Sequence, residues 1–229
     1  MAGFFGVGGG MILVPMLLMS GYNIKSAISI SIIQMVYSSV FGSFINYKKN
    51  KYILKDGLFL GLGGFLGGGL SGFIISGVDE VYLKYAFLSL VIFAILQIYF
   101  SKTKELKDKK EYSKLALIIV GFSIGLIAMS LGVGGSVLLT PILVGYMFYS
   151  LKEAASLALF FVVFSSISGA VSLYLHDNML LFEGTIVGIA SIIGVYFGIK
   201  IRNSINMKSY KSLVLGMYLI ILLSTIYKI

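Results

Sequence analysis

GVGGGMILVP (residues 6–15) returns as GVGGSVLLTP (residues 132–141), one glycine-rich break in each half of the chain. Glycine runs and proline are poor material for a continuous helix. At membrane depth, backbone released from helical bonding is tolerated only where it is buried in protein or lines a cavity. A repeated break of this kind points to a transport site.

The surroundings are apolar throughout. Of the 229 residues, 58% are hydrophobic and 12% charged, with a mean hydropathy of +0.99. Soluble domains carry about 25% charge. Apolar runs long enough to cross hydrocarbon follow one another at 27–47, 58–77, 81–100, 154–174, 185–201 and 213–227. A short, glycine-broken run lies at 3–20 and a long one at 115–149. As one helix the latter would span roughly 50 Å, too long for a core of about 30 Å. A break at Gly132–Ser136 is therefore expected, made either as a hairpin or as two crossings. The fold class is an all-α polytopic membrane protein with about seven to nine membrane segments.

Charge and composition exclude several functions. There is no cysteine, and one histidine with nine acids leaves little for a metal cage, so neither cofactor nor metal is expected. The net charge of +9 comes from lysines in short loops, which suit anionic lipid headgroups and not nucleic acid. No GxxxxGK[ST] loop is present for ATP. The nine acids, Asp56, Asp79, Glu80, Glu105, Asp108, Glu111, Glu153, Asp177 and Glu183, all fall in loops or at span ends. None sits mid-membrane, where a proton relay would need it.

The halves match beyond the glycine motif. Ile24-Lys25-Ser26-Ala27 aligns with Leu151-Lys152-Glu153-Ala154, Ser38-Ser39 with Ser165-Ser166, Gly42 with Gly169 and Tyr47 with Tyr174. Asp56-Gly57 aligns with Glu183-Gly184, and Gly61 and Gly67 with Gly188 and Gly194. This reads as a tandem duplication of about 125 residues, a common origin of transporter folds. Loop charge reverses between the copies. Lys48, Lys49, Lys51 and Lys55 are followed by acidic Asp79-Glu80, whereas His176-Asp177 and Glu183 are followed by Lys200, Arg202, Lys208 and Lys211. Basic loops stay cytoplasmic, so two inverted repeats are expected: 1–100, a cytoplasmic charged linker 101–114, and 115–229. The second copy has a leading apolar segment, 115–131, whereas only five residues precede Gly6.

A helix restarting after glycines presents unpaired N–H donors and the positive end of its dipole, a ready anion site. Gly8, Gly9 and Gly10, and Gly134, Gly135 and Ser136, are the candidates for substrate binding, with Gly6, Pro15, Gly132 and Pro141 making the breaks. Gln34, Ser38, Thr140 and Ser165 add polar groups in apolar runs, and Ser29, Ser39, Ser156, Ser166 and Ser168 lie nearby. The bland alternative for hydroxyls is a bond to their own helix. For Gly61, Gly63, Gly64, Gly67, Gly68, Gly69, Gly72, Gly188, Gly194 and Gly198 it is close helix packing. Lys25 and Lys152 would draw anions to the pathway mouths or snorkel to headgroups.

The doubled G-x-G-G-[GS]-x-x-x-x-P, Gly6 to Pro15 and Gly132 to Pro141, in a small duplicated chain resembles the sulfite exporter TauE/SafE family. The resemblance implies a cytoplasmic-membrane permease for small sulfur-containing anions such as sulfite, sulfonates or thiosulfate. The residues alone argue for a small anion, moved by alternating access and held at the half-helix N-termini. An anion-selective channel is the alternative. A membrane enzyme is disfavoured because no His, Cys or paired-carboxylate constellation exists. Partners expected are the anion and the lipid bilayer, with homodimerisation left open.

Overall fold

The computed structural model describes residues 9–47, 54–100, 112–149, 151–204 and 207–228. Within them lie ten helices: α1 (Gly10–Met19), α2 (Ile24–Tyr47), α3 (Leu54–Gly69), α4 (Ser71–Gly77), α5 (Glu80–Phe100), α6 (Lys114–Ser130), α7 (Ser136–Gly145), α8 (Leu151–Leu175), α9 (Leu181–Ser204) and α10 (Met207–Lys228). Five stretches are long and apolar enough to cross a membrane: Ile24–Ile45, Gly57–Gly77, Glu80–Gln97, Glu153–Leu175 and Leu181–Gly198. The chain is an all-α, multi-pass membrane protein. Gly6, Gly8, the basic run 48–53 and most of the linker, 101–111, lie outside the described residues.

The helix ends follow from local chemistry. Ser113 caps α6 by accepting from the Ala116 N–H at 3.2 Å. At the other end the Gly132 N–H donates to the Met129 carbonyl and the Val133 N–H to that of Ala128, with Gly132 at φ 63°. That is a Schellman close, which needs a left-handed residue. The first glycine of the motif therefore stops α6, and the later ones restart the chain as α7. Gly21 (φ 95°) closes α1 the same way, before Asn23 Oδ1 accepts from the Ser26 N–H at 2.8 Å to start α2.

Lipid tails are as apolar as leucine, so helices in a bilayer associate through close packing, not through burial from water. Glycines make that packing possible here. A side chain at Gly63 would overlap the Ile118 carbonyl of α6, and one at Gly67 the Phe122 carbonyl. In return, Gly121 faces the Leu60 backbone and Gly125 that of Gly64. α3 and α6 thus run side by side at backbone contact, where Cα–H···O=C bonds add about 0.5–1 kcal/mol each. Gly68 meets the Ser165 carbonyl of α8, and the Gly72 N–H donates to Ser172 Oγ at 3.0 Å.

Contacts between the halves are reciprocal. Gly42 on α2 packs against Leu159 on α8, and Gly169 on α8 packs against Ile32 on α2. These pairs exchange under the numbering that relates Tyr47 to Tyr174. So do Gly57 on Phe160 with Gly184 on Ile33, and Gly61 on Phe164 with Gly188 on Tyr37. The first pair also fixes direction: the late part of α2 meets the early part of α8, so the two helices are antiparallel. α2 ends where α8 begins. The loop after α8 lies where α2 begins, and there Ser29 Oγ accepts from the Leu180 N–H at 2.9 Å.

Close backbone contact sets a clear expectation. Gly67→Leu should destabilise the protein by about 3 kcal/mol or more through overpacking against α6. Gly216→Ala on α10, where an added Cβ meets nothing within 4 Å, should be neutral or slightly stabilising. Thermal unfolding of the detergent-solubilised variants distinguishes the two.

Candidate functional site

The two glycine breaks touch. A Cβ at Gly10 would overlap the Gly132 carbonyl oxygen and stand 2.5 Å from Ser31 Oγ. Ser31 Oγ donates to that same Gly132 carbonyl at 2.7 Å, across 101 residues of sequence. Only glycine at position 10 permits this approach, because any side chain would fill the space between the breaks. Gly132 is pressed in turn onto α2, with an added Cβ 3.0 Å from Ile28 Cα. α2 is thus the floor on which both breaks rest.

From this meeting point the half-helices diverge. α1 runs through Gly21 into the start of α2, and α7 runs to the opposite end, where Tyr112 Oη bonds to the Tyr146 carbonyl. α6 and α7 therefore form a hairpin whose turn is the glycine motif and whose returning limb has ten residues. At 1.5 Å per residue that limb is about 15 Å long, half the hydrocarbon core. Neither α1 nor α7 has a side-chain cap: Gly9 (φ 84°) precedes the first and Gly135 (φ −62°) the second. Two positive dipole ends consequently lie close together at the middle of the bundle. Among the described residues, the buried polar groups are serines, Gln34 and Thr225, with no charged side chain.

Polar groups around the junction divide into satisfied and unsatisfied. Ser136 Oγ at the start of α7, Ser130 Oγ at the end of α6 and Gln34 Oε1 on α2 are buried with no hydrogen-bond partner. Buried groups of this kind cost about 1–3 kcal/mol each unless something bonds them. The other candidate serines around the helices are occupied. Ser165 Oγ donates to the Phe161 carbonyl at 3.2 Å and Ser38 Oγ to that of Met35 at 3.3 Å. Ser39, Ser166 and Ser168 also bond back to their own helices. Thr140 is half-buried on α7. Pro15 and Pro141 lie inside α1 and α7, which run on to Met19 and Gly145. Gly132 stands at the turn between α6 and α7, whereas Pro15 and Pro141 lie within helices.

Ser31 and Ser130 are functional candidates that sequence reasoning missed. Ser31 sits one turn before Gln34 on the same face of α2, so the helical spacing held the signal. Phe161 is a third such residue: its ring covers Gly135, where an added Cβ would overlap it. Gly9 and Gln34 also border an apolar groove of about 490 Å³ that runs along α9 past Val187, Ala190, Ser191 and Gly194.

The junction depends on two steric conditions. Gly134→Ala places a side chain at φ 74° and should cost about 1–2 kcal/mol. Gly135→Ala should cost more through its clash with the Phe161 ring, and Phe161→Leu in the same chain should recover part of that loss. Unfolding midpoints of the single and double variants test the coupling.

The chain matches the family model described as sulfite exporter TauE/SafE over residues 1–225. It is 27% identical over 224 residues to a probable membrane transporter protein of Methanocaldococcus jannaschii, covering 89% of this chain and 80% of the relative. It is 25% identical over 255 residues to the probable membrane transporter protein YunE of Bacillus subtilis, covering 95% and 88%. A probable membrane transporter protein of Haemophilus influenzae is 27% identical over 198 residues, covering 84% and 76%. No solved structure matches the chain. With a family model matched along nearly its whole length and every helix apolar enough for lipid or packed on one that is, the chain belongs to the sulfite exporter TauE/SafE family and is a membrane transporter.

Proposed function

We propose that the protein is a secondary permease for small sulfur-containing anions of the sulfite, sulfonate or thiosulfate class. The anion is held where the N-termini of α1 and α7 meet. One observation carries this reading: two uncapped half-helix starts converge beside Gly10 and Gly132, with the Ser136 and Ser130 hydroxyls and Gln34 Oε1 buried and unpartnered around them. Dipole ends and hydroxyl donors stabilise an oxyanion without a fixed countercharge. The amide of Gln34 turns its N–H₂ toward the ligand, since oxygen and nitrogen in that group exchange by a flip.

Alternating access follows from the repeat reading. The reciprocal, antiparallel contacts of α2 and α8 support two inverted repeats about an axis in the membrane plane, with the anion site on that axis. Rocking one half against the other would open the junction first to one face and then to the other. The excess of lysine and arginine in 48–55, 101–114 and 200–211 supports a cytoplasmic position for these segments.

Removing an unsatisfied group separates function from stability. Ser136→Ala and Gln34→Leu should leave the unfolding midpoint unchanged or raised, because each deletes a buried polar atom that has no partner. The same variants should weaken sulfite or thiosulfate uptake into proteoliposomes by about tenfold, the worth of one hydrogen bond to a charged group. Full uptake in both variants, or unitary currents in a planar bilayer, would overturn the permease reading.

Topology is tested independently. The native chain has no cysteine, so single cysteines at Lys51, Asp79, His176 and Lys208 report directly. Lys51 and Lys208 should label from the cytoplasmic side, Asp79 and His176 from the other. Labelling of Lys51 and His176 on one face would refute the inverted arrangement.

A further inference from the structure

The junction limits the charge of its ligand. Each helix N-terminus carries about half a positive elementary charge, so α1 and α7 together supply about one. Both helices have ten residues and neither start has a side-chain cap. The Ile12 and Leu13 N–H groups bond back to the Gly9 carbonyl, and that of Leu139 to Gly135. The N–H groups ahead of them are the free donors of each start. Among the described residues, no buried side chain is charged. One negative charge is therefore balanced here, and a second would stand uncompensated away from water.

Gln34 adds a second condition. It is 3% exposed, borders the same groove as Gly9 at the start of α1, and its Oε1 has no partner. A carboxamide has one donating end and one accepting end. A bare oxyanion satisfies only the donating end, because it has no hydrogen to give. Turning the amide over exchanges the two ends without removing this demand. The Ser130 and Ser136 hydroxyls, also unpartnered, rotate to donate to an oxyanion oxygen. Gln34 asks the ligand for a proton.

We infer that the species held at the junction is a monoanion that keeps one proton, the hydrogen form of the oxyanion and not the dianion. The inference rests on the anion-permease reading and narrows it. Sulfite exchanges its last proton near neutral pH, so its carried form is hydrogensulfite. The helix starts and serine hydroxyls hold its oxygens, and its O–H donates to the Gln34 carbonyl. Thiosulfate, doubly charged throughout the neutral range, falls outside the class. The proton travels with the anion and is released where hydrogensulfite dissociates.

The proton dependence belongs to the ligand. Facing Gln34 across the groove are Ile12, Leu13 and Met16 of α1 and Val187, Ala190 and Ser191 of α9, none of them titratable. Ile28, Ile124 and Phe161 stand around Gly132 and Gly135. On α2, Tyr37 packs its ring on Gly188 of α9, and α10, which packs against α1, buries Tyr218. His176, the one histidine of the chain, lies past the end of α8 with Nδ1 2.8 Å from the Ser172 carbonyl oxygen.

The test follows initial uptake into proteoliposomes, above that of protein-free vesicles, with equal pH on both faces. Sulfite at fixed total concentration should enter more slowly as pH rises, by about tenfold per unit once hydrogensulfite is the minor form. Methanesulfinate has a methyl group where hydrogensulfite has its hydroxyl, and one charge at every pH used. It should enter several-fold more slowly than hydrogensulfite, at a rate independent of pH. Thiosulfate should not enter above background. Gln34→Met, checked for folding by its unfolding midpoint, should abolish the preference for hydrogensulfite over methanesulfinate. Sulfite uptake that is level or rises with pH, thiosulfate uptake equal to that of sulfite, or a methanesulfinate rate with the same pH dependence would overturn the inference while leaving a working permease. So would equal uptake of hydrogensulfite and methanesulfinate by the native chain, or a preference that survives Gln34→Met. No uptake of any of the three anions would overturn the permease reading, and the inference with it.

Discussion

The Ser31 hydroxyl bound to the Gly132 carbonyl, with Gly10 pressed against the same oxygen, is the contact on which the arrangement depends. A carbonyl freed from its helix inside a membrane costs several kcal/mol if left bare. Here a hydroxyl of a neighbouring helix satisfies it, and a residue without a side chain lets the other break come beside it. Once that oxygen is held, α1 and α7 can start next to each other and run to opposite ends. The unwound backbone of the second break, residues 131–135, is buried in protein, as the bilayer demands.

Glycine serves two separate purposes in this chain, and the structure sorts them. Gly63, Gly67, Gly121 and Gly125 lie within helices and bring α3 and α6 to backbone contact. Gly9, Gly132 and Gly134 take left-handed conformations that end or begin helices. Local spacing separates the groups only in part. Gly10 belongs to the break motif by sequence, but it is helical and acts through close approach.

Much of this was legible beforehand because lipid leaves the chain few options. A run of some 20 apolar residues has to be a helix, and the expected spans differ from α2, α5, α8 and α9 by a few residues at their ends. The long run 115–149 could not be one helix, and it folds as the α6–α7 hairpin turning at Gly132. The site was less legible. Ser38 and Ser165 looked like ligand donors by composition, yet each hydroxyl bonds to its own helix, a choice made by rotamer and not by residue type. Ser31 carried no mark beyond its helical spacing from Gln34, because its partner lies in the other half of the chain.

Hydrophobic run lengths established a helical membrane protein, and the two glycine motifs with the matched positions of the halves raised the expectation of a duplication with one break per half. These are local properties, set by what a single segment can do in hydrocarbon. Folding of the whole chain decided which atoms of the two breaks meet and which serines keep their hydroxyls for themselves. Those outcomes turn on ångström-scale approaches between residues a hundred positions apart, and no window of sequence contains both partners.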